Sequence, residues 1–321
     1  MTVVHRLQGP PPPDLARALE IFEEQFSYPL GPGRTFRISH GADYTRFFSA
    51  MGEEAMVFVA ERDGRVMGTV AIALRPLRTP DGHLKRSAYV GDLKILPAEQ
   101  GGRTILRLGV AVLREAKKHS EAEGAFCVVM DGTAQTPTAY SGRLGMPAFH
   151  ELARITVLRI PTCQPSHATA EHTAHPVSPA AAAESYRRWT QGHYAVPAGD
   201  ATRRSELTPT ALMLPDGSAC GLLEDTRNAK RLLTDNGELR SAHLSDFAYR
   251  APERGAALIR TALPVAANHG NPALFVAVPA ADTDAFLAHL GIAETVVAPA
   301  TIYGCSSLAA GARWSVNTAE I

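Results

Sequence analysis

Residues 86–101 read RSAYVGDLKILPAEQG, and residues 240–255 read RSAHLSDFAYRAPERG. Arg, Ser, Ala, Asp, Glu and Gly recur at matching places in the two stretches, at one constant offset. In both, an apolar segment leads into a proline and then a glycine, which is typical of a strand followed by a turn and a helix. We therefore interpret the chain as two copies of one α/β unit.

The segments around this repeat also follow one order. A turn signal comes first, at 79–82 (TPDG) and 234–237 (TDNG), and both are good hairpin sequences. A helical segment follows, then a short apolar run, and then a helix that ends in Leu-Gly. The apolar runs are 125–130 and 273–278, and the Leu-Gly pairs are 144–145 and 290–291. Any two α/β domains share some strand-helix order, and this alternative to a true repeat stays open.

Length and composition set the class of protein. The chain has 321 residues, of which 45% are hydrophobic and 20% charged, as expected for two globular domains with apolar cores. The formal net charge is zero, so we expect no general attraction to nucleic acid or to an anionic membrane. Binding partners must therefore be recognised at local sites.

We expect a cytoplasmic protein with reduced thiols. No apolar stretch approaches the roughly 20 residues that span a bilayer, and the N-terminus lacks the pattern of a secretory signal. The cysteines are scattered, which argues against a disulfide framework or a metal site. Residues 161–179 are rich in Pro, Ser, Thr and His and predict an exposed linker with solvated histidines. The four cysteines are Cys127, Cys163, Cys220 and Cys305, and the linker histidines are His167, His172 and His175.

In the first half, apolar patterns predict an antiparallel meander, with a hairpin at Asp63-Gly64. A long amphipathic helix follows, with Ile105, Leu108 and Val112 on its apolar face. The run 125–130 is apolar on both faces, and a strand-helix-strand passage implies a parallel pair. The predicted elements are strands at 56–60, 66–74 and 87–96, a helix at 103–123 stopped by Gly124, a strand at 125–130, a helix at 137–144 and a strand at 153–160.

The turn between the strand 87–96 and the long helix contains a candidate anion site. Adjacent Gly101 and Gly102 let the backbone come close to a ligand. The first N–H groups of a helix have no partner within it, and the helix dipole favours an anion there. Arg103 adds a positive charge. The turn is thus a candidate diphosphate cradle, although most Gly-Gly turns before a helix serve only geometry.

Two motifs give the chain a specific resemblance. The run 93–101, LKILPAEQG, resembles the strand-and-loop motif of the GNAT (N-acetyltransferase) superfamily, and 139–146, AYSGRLGM, is similar to the family's helix ending in Tyr-x-x-Leu-Gly-Phe. The resemblance implies an α/β fold of two tandem GNAT-like domains, each a mixed sheet flanked by helices. It covers 56–160 well and 205–305 more faintly. The implied domains are 1–160, with the candidate acyl-CoA site, and 180–321, a degenerate copy.

The resemblance also implies acetyl-CoA, or another acyl-CoA, as co-substrate, without a metal. It implies a backbone N–H of Ile95 or Leu96 for the thioester carbonyl. Two positions depart from the family motif in the first half, where Arg103 and Ile105 replace two glycines or small residues. In the second half, Arg254-Gly255 matches the start of the motif better, but Ile259 replaces the small residue at its end. The implied coenzyme-binding residues are Ile95, Leu96, Gln100, Gly101, Gly102, Arg103 and Thr104.

Three residues are catalytic candidates by this resemblance. Tyr140 could protonate the leaving thiolate, since its ordinary pKa of about 10 is near that of a thiol, but it stands one residue before the family's tyrosine, in whose place Ser141 lies. Asp92 could accept the amine proton. Its counterpart Asp246 recurs in the second half, where Leu287 replaces the tyrosine and Pro264 should kink the helix. A structural hydrogen bond common to both copies is therefore an alternative for Asp92.

We expect acyl-CoA-dependent N-acetyltransfer to a small-molecule or exposed amine. The first half would bind the coenzyme, and the second half would complete the acceptor pocket or an interface. No nucleic-acid or membrane partner is expected, and a homo-oligomer is left open. Because both loops are degenerate, a non-catalytic module that binds CoA or another ligand is the main alternative. An enzyme that uses a longer acyl donor is a third, and it would need a broad apolar slot.

Overall fold

A computed structural model describes residues 2–29, 35–119, 122–133, 135–143, 146–162, 174–305 and 308–321. The strands are β1 (Val3–Leu7), β2 (Tyr28–Pro29), β3 (Thr35–Ser39), β4 (Glu54–Arg62), β5 (Arg65–Arg78), β6 (Leu84–Ile95), β7 (Ala125–Met130), β8 (His150–Pro161), β9 (His175–Pro176), β10 (His193–Ala195), β11 (Thr210–Met213), β12 (Ala219–Glu224), β13 (Arg231–Thr234), β14 (Gly237–Glu238), β15 (Ala242–Tyr249), β16 (Ala273–Pro279), β17 (Val296–Gly304) and β18 (Arg313–Ser315). The α-helices are α1 (Pro13–Glu23), α2 (Arg46–Ser49), α3 (Arg103–Ala116), α4 (Pro137–Tyr140), α5 (Pro179–Trp189), α6 (Ala201–Arg204), α7 (Pro252–Asn268) and α8 (Thr283–Leu290).

The predicted elements of the first half are confirmed, but both predicted helices are shorter than expected. The helix predicted to run to Gly124 ends at Ala116. There the N–H of Lys118 bonds to the carbonyl of Glu115 at 2.8 Å, which tightens the last turn and stops the regular ladder. The predicted helix 137–144 is also too long, because α4 ends at Tyr140 and Ser141 is extended.

The segment predicted as a linker, 161–179, lies mostly outside the described residues, and so do Cys163, His167 and His172. Its last part is described. His175 and Pro176 form the edge strand β9 on β11, and α5 begins at Pro179. The division into 1–160 and 180–321 therefore stays a proposal about where the two copies begin and end.

One mixed sheet runs through both halves of the molecule. Its strand order is β1-β4-β5-β6-β7-β17-β8-β16-β15-β12-β11-β9, and β10 and β18 pair beside β5. The five strands at one edge, β1 to β7 in this order, belong to the first half. The five strands at the other edge, β16 to β9, belong to the second half. The two outer arms repeat each other in order, as the internal sequence repeat predicts.

The centre of the sheet exchanges strands between the halves. Strand β17, from the second half, lies antiparallel between β7 and β8 of the first half. Strand β8 in turn lies antiparallel between β17 and β16 of the second half. Each half therefore places its last strand next to the other half's inner strand, and neither arm closes on its own strands alone.

Each half contains a parallel strand pair that opens into a V. Strands β6 and β7 pair only at Ala88↔Ala125 and Tyr89↔Phe126, although β6 continues to Ile95. Strands β15 and β16 likewise pair only at two positions, beginning at Ala242↔Leu274. The strands diverge beyond these pairs, toward the turn that leads into α3 in the first half and into α7 in the second.

A β-bulge interrupts the same place in both halves. On β6 the register against β5 shifts between Thr69 and Ala71, and Asp92 has φ of 52°. On β15 the register against β12 shifts in the same way, and Asp246 has φ of 46°. A positive φ is uncommon outside glycine, and Asp is one of the residues that tolerate it. The recurring Asp of the sequence repeat thus marks a recurring bulge.

The bulge decides which face of the sheet each β6 side chain occupies. Before it, Tyr89 packs with the core beneath α1 and α2, while Val90 packs with Leu108 of α3 on the opposite face. After it, Leu96 joins the α1/α2 core and Ile95 the α3 core. The extra residue therefore reverses the alternation, so that odd positions face α1 and α2 before the bulge and even positions do so after it.

A buried ion-pair network joins the halves near residue 320. The Arg204 guanidinium bonds to both carboxylate oxygens of Glu224, at 2.7 and 2.8 Å, and to Glu320 at 2.8 Å. Arg75 of β5 pairs with the other Glu320 oxygen at 2.8 Å. All four side chains are buried. Such pairs are costly to break, because a charge is left buried without its partner.

None of the helices that the structure describes is long and apolar enough to span a bilayer.

Candidate active site

The turn before α3 leaves its backbone open to a ligand. Gly101 has φ of 79°, Gly102 is the N-cap of α3 and provides no side-chain cap, and Gln100 to Arg103 are exposed. The first-turn N–H groups of α3 can therefore donate hydrogen bonds to an anion, and Arg103 stands at the same end of the helix. Of the predicted coenzyme-binding residues, Gln100 through Thr104 thus occupy one continuous turn.

Glu99 is the acidic group at this turn. One of its carboxylate oxygens accepts from Arg62 at 2.5 Å and the other accepts from the Thr104 hydroxyl at 3.0 Å. These hydrogen bonds hold the pKa of Glu99 below its ordinary value. Thr104 is buried, so its hydroxyl supports the turn by fixing Glu99, while Arg62 neutralises the carboxylate near the anion site.

The backbone of β6 distinguishes Ile95 from Leu96. The Leu96 N–H donates to the carbonyl of Met67 at 3.0 Å, on the β5 side. Because successive N–H groups of a strand point to opposite sides, the Ile95 N–H points away from β5, toward the side where β7 has diverged. The Leu96 N–H is thus engaged, and Ile95 is the residue of this pair that faces the V.

Tyr140 lies near the apex of the V, on the α3 side of the sheet. It is half-buried, and burial, with smaller effects of Cys127 and Tyr303, raises the pKa of its hydroxyl well above the ordinary value. Cys127 is the first β7 residue beyond the pair with β6, and Tyr303 lies opposite it on β17. Ser141 has a different environment, because its hydroxyl oxygen accepts the N–H of Phe149 at 2.9 Å.

Asp92 lies on the other side of the sheet, in a buried polar cluster. Its carboxylate accepts a hydrogen bond from Tyr44 and pairs with Lys94 at 2.6 Å. Burial alone would raise the pKa of Asp92, but the charges of Lys94 and His40 outweigh burial and lower it. Both carboxylate oxygens are thus engaged and the group is held ionised, which makes it a weak base in this state.

The cluster continues through residues that the sequence analysis did not single out. Glu23, at the end of α1, accepts from the backbone N–H of His40 at 3.0 Å and lies 2.6 Å from its Nδ1. Glu23 also lies 3.7 Å from the Lys94 ammonium. The His40 ring packs against the Tyr44 ring with centroids 4.5 Å apart and the ring planes tilted by 38°. No spacing rule connects these residues, because they come from separate elements that meet only in the fold.

The predicted acid and base therefore lie on opposite faces of the sheet. Tyr140 is on the α3 side, and Asp92 is on the side of α1 and α2. The V between β6 and β7 is the opening that connects the two faces. A thioester held in this V would present its sulfur to one face and its carbonyl carbon to an amine that arrives from the other.

The second half lacks the open turn. Helix α7 begins directly at Pro252, so Gly255 lies inside it instead of in a loop, and the prediction of a loop at Arg254-Gly255 is wrong. A Cβ at Gly255 would lie 2.6 Å from the Phe286 ring. Gly255 thus serves close packing of α7 on α8, and Phe247, Tyr249 and Phe286 form a contiguous aromatic group at this V.

The pKa values of the equivalent aspartates in the two bulges are shifted in opposite directions. Burial raises the pKa of Asp246 to about 7, and the charges of Glu320 and Glu224 act in the same direction, while the Ala198 N–H, which donates to the carboxylate at 2.8 Å, and the charge of Arg204 oppose the rise. The lowered pKa of Asp92 stabilises the fold above the pKa of the unfolded chain, and this stability is lost as the pH falls. The raised pKa of Asp246 has the reverse effect, because stability falls as the pH rises from about 4 to about 7.

We therefore expect opposite results from the same substitution at the two bulges. At pH 8, Asp92→Asn should lower the free energy of unfolding, because Lys94 is left buried with only the more distant carboxylate of Glu23, 3.7 Å away. Asp246→Asn should be neutral or stabilising, because it mimics the protonated form that burial favours. Urea unfolding of both variants measures the difference, and an equal loss in the two would contradict this account of the bulges.

Among the described residues, no group of three or more His, Cys, Asp or Glu is arranged to hold a metal ion.

No protein-family model and no curated protein sequence matches this chain. Solved structures do match it. Saccharomyces cerevisiae N-myristoyltransferase with bound myristoyl-CoA matches with a TM-score of 0.62 at 9% identity, over 94% of this chain and 82% of the other. A GCN5-related N-acetyltransferase from Anabaena variabilis matches with a TM-score of 0.53 at 13% identity, over 94% of this chain and 72% of the other. These matches show that the chain shares the fold of these two proteins.

Proposed function

We propose that the protein is an acyl-CoA-dependent N-acyltransferase whose first half binds the coenzyme, with acetyl-CoA as donor and a small-molecule or exposed amine as acceptor. The observation that carries the proposal is the exposed Gly101-Gly102 turn at the mouth of the β6/β7 opening. Of the two proteins of similar fold, one is an N-myristoyltransferase with bound myristoyl-CoA and the other is a GCN5-related N-acetyltransferase. A soluble amine acceptor also agrees with the zero net charge of the chain.

The residues fit the coenzyme in an order along β6. The α3 N-terminus and Arg103 would hold the diphosphate. The pantetheine arm would then lie along the open edge of β6, where the Ile95 N–H is the donor available to the thioester carbonyl. A donor held in place there stabilises negative charge on that oxygen during acyl transfer without reorganisation.

Tyr140 and the Asp92 cluster would act on opposite sides of the thioester. Tyr140 keeps its proton because its pKa is raised, so the hydroxyl is a proton source for the departing sulfur. We assign Asp92 to holding Tyr44 and Lys94 in place on the amine side, since both of its oxygens are occupied. Direct proton abstraction by Asp92 would first require one of these partners to move.

Replacing Gly101 with valine should abolish coenzyme binding without unfolding the protein. A Cβ at Gly101 meets nothing within 4 Å, but φ of 79° is unfavourable for a β-branched residue, so the turn must change shape. In the unmodified protein, CoA at about 100 times its dissociation constant should add about 2.7 kcal/mol to the free energy of unfolding. Thermal unfolding with and without CoA measures this gain.

Gly192→Val is the matched control. Gly192 has φ of 77°, a Cβ there also meets nothing within 4 Å, and the residue lies in the second half. This variant should therefore lose a similar amount of intrinsic stability and keep the full gain from CoA. If Gly101→Val keeps the gain too, the coenzyme is not held at this turn. If unmodified protein shows no gain, the ligand is not CoA.

A non-catalytic CoA-binding module is the second candidate, and the engaged carboxylate of Asp92 favours it. With both of its oxygens occupied, Asp92 leaves the amine without an obvious base. Transfer of radiolabelled acetyl groups to a panel of amines distinguishes the two. CoA binding without transfer to any amine would support the module.

A further inference from the structure

The apex of the β6/β7 opening is filled by aromatic rings. Tyr89 and Phe126, the last paired residues, meet edge to face with centroids 5.4 Å apart. Behind them, the Phe126 and Trp314 rings have centroids 5.2 Å apart. Trp314 in turn stacks on Tyr194, with centroids 4.6 Å apart. All four rings are buried. The α1/α2 side of the apex therefore ends in a packed aromatic wall.

This wall extends along β6 toward the bulge. Gly91 directly precedes Asp92, and its missing side chain would leave a gap on the α1/α2 face. The gap is already occupied, because a Cβ at Gly91 would lie 3.0 Å from the Tyr89 ring and 3.4 Å from the Phe48 ring. Phe48 is 2% exposed and Tyr89 is 6% exposed, so neither ring can leave the site without a change in packing.

The path of an acyl group follows from the two ends of the opening. The diphosphate site is at the wide end, beside Gly101, and the free N–H of Ile95 lies between it and the apex. If the thioester carbonyl is bound by the Ile95 N–H, the acyl chain beyond it points toward the narrow end of the opening, at the apex. There it meets Tyr89 and Phe48 over Gly91, and each added methylene must displace packed side chains.

We infer that Tyr89, together with Phe48, limits the acyl donor to short chains and so sets the donor specificity of the first half. This inference rests on the proposed function. It selects the short-chain alternative over the long-chain one, although a structure of similar fold holds myristoyl-CoA. The path of the acyl chain is closed at Gly91, where the Tyr89 and Phe48 rings fill the gap.

The test compares three ligands, CoA, acetyl-CoA and octanoyl-CoA, by calorimetry and by acyl transfer. Unmodified protein should prefer acetyl-CoA to octanoyl-CoA by at least about 100-fold in kcat/KM, since even one methylene is worth about 10–200-fold in a fitted pocket. Tyr89→Ala should narrow this ratio at least about tenfold, because it removes the ring from the gap. Phe48→Ala should narrow it in the same direction.

Phe286→Ala is the matched control, because Phe286 is a fully buried ring at the other V, and it should leave the ratio unchanged. Equal use of octanoyl-CoA and acetyl-CoA by unmodified protein would overturn the inference. So would an unchanged ratio in both Tyr89→Ala and Phe48→Ala when circular dichroism shows a native fold. Failure of CoA itself to bind would instead overturn the proposed function, and the inference with it.

Discussion

Replacing Arg204 with alanine is expected to lower the free energy of unfolding by about 3–5 kcal/mol, the cost of leaving buried charges without a partner. The guanidinium is 0% exposed and bridges Glu224 and Glu320. Removing it leaves Glu224 without a cation and Glu320 with only Arg75. Urea unfolding at pH 7 measures the loss, which should appear as a lower transition midpoint at unchanged slope.

Arg187→Ala is the control for removal of an ion-paired arginine. Arg187 pairs with Glu184 one helical turn away, and both side chains are more than half exposed, so this pair should contribute at most about 1 kcal/mol. A loss below about 1 kcal/mol for Arg204→Ala would show that the two carboxyl groups take up protons or water and that the network contributes little to joining the halves.

Replacing Tyr140 with phenylalanine is expected to reduce turnover by at least about tenfold, because general-acid assistance is typically worth 10²–10⁴-fold. The substitution keeps the ring and its packing and removes only the hydroxyl. Affinity for CoA should be unchanged, since Tyr140 is on α4 and the diphosphate site is at the turn before α3. Steady-state transfer rates and CoA titration, measured on the same preparation, separate the two effects.

Ser141→Ala tests the neighbouring position of the family motif. Its hydroxyl oxygen accepts the Phe149 N–H, so we expect a modest loss of stability, about 1 kcal/mol, and near-normal turnover. If Ser141→Ala is inactive and Tyr140→Phe is normal, the position in the motif decides the acid. If both variants turn over normally, the thiolate takes its proton from water.

The sequence predicted the repeating parts of the fold better than their arrangement. The parallel pairs followed from the apolar runs and the helix between them. The recurring Asp was recognised, but the bulge at each Asp was not predicted. The central exchange of β8 and β17 could not be predicted, because strand partners far apart in sequence are chosen by packing and leave no local pattern. Helix α3 was predicted too long for a related reason, since the turn at Glu115 depends on where the chain must return to the sheet.

Prediction of the site was uneven in the same way. The Gly101-Gly102 turn was local and was found from its composition. Gly255 was assigned to a loop because 240–255 repeats 86–101 and so matches it to Gly101, yet its small size serves contact with Phe286, a distant residue. The cluster around Lys94 was missed because Glu23, His40 and Lys94 come from three separate elements. Short-range signals therefore identify turns, and residues that meet through tertiary packing require coordinates.

The placement of β17 between β7 and β8 has a consequence for synthesis of the chain on the ribosome. Residues 296–304 must be made before β7 and β8 can acquire the strand that lies between them. At ~5–20 residues per second, the interval after residue 161 is about 7–30 s. During it the nascent first half exposes one edge of β7 and both edges of β8, because β17 and β16 are not yet made, and free strand edges favour pairing with other chains. The protein should therefore depend on chaperones most strongly while it is being translated.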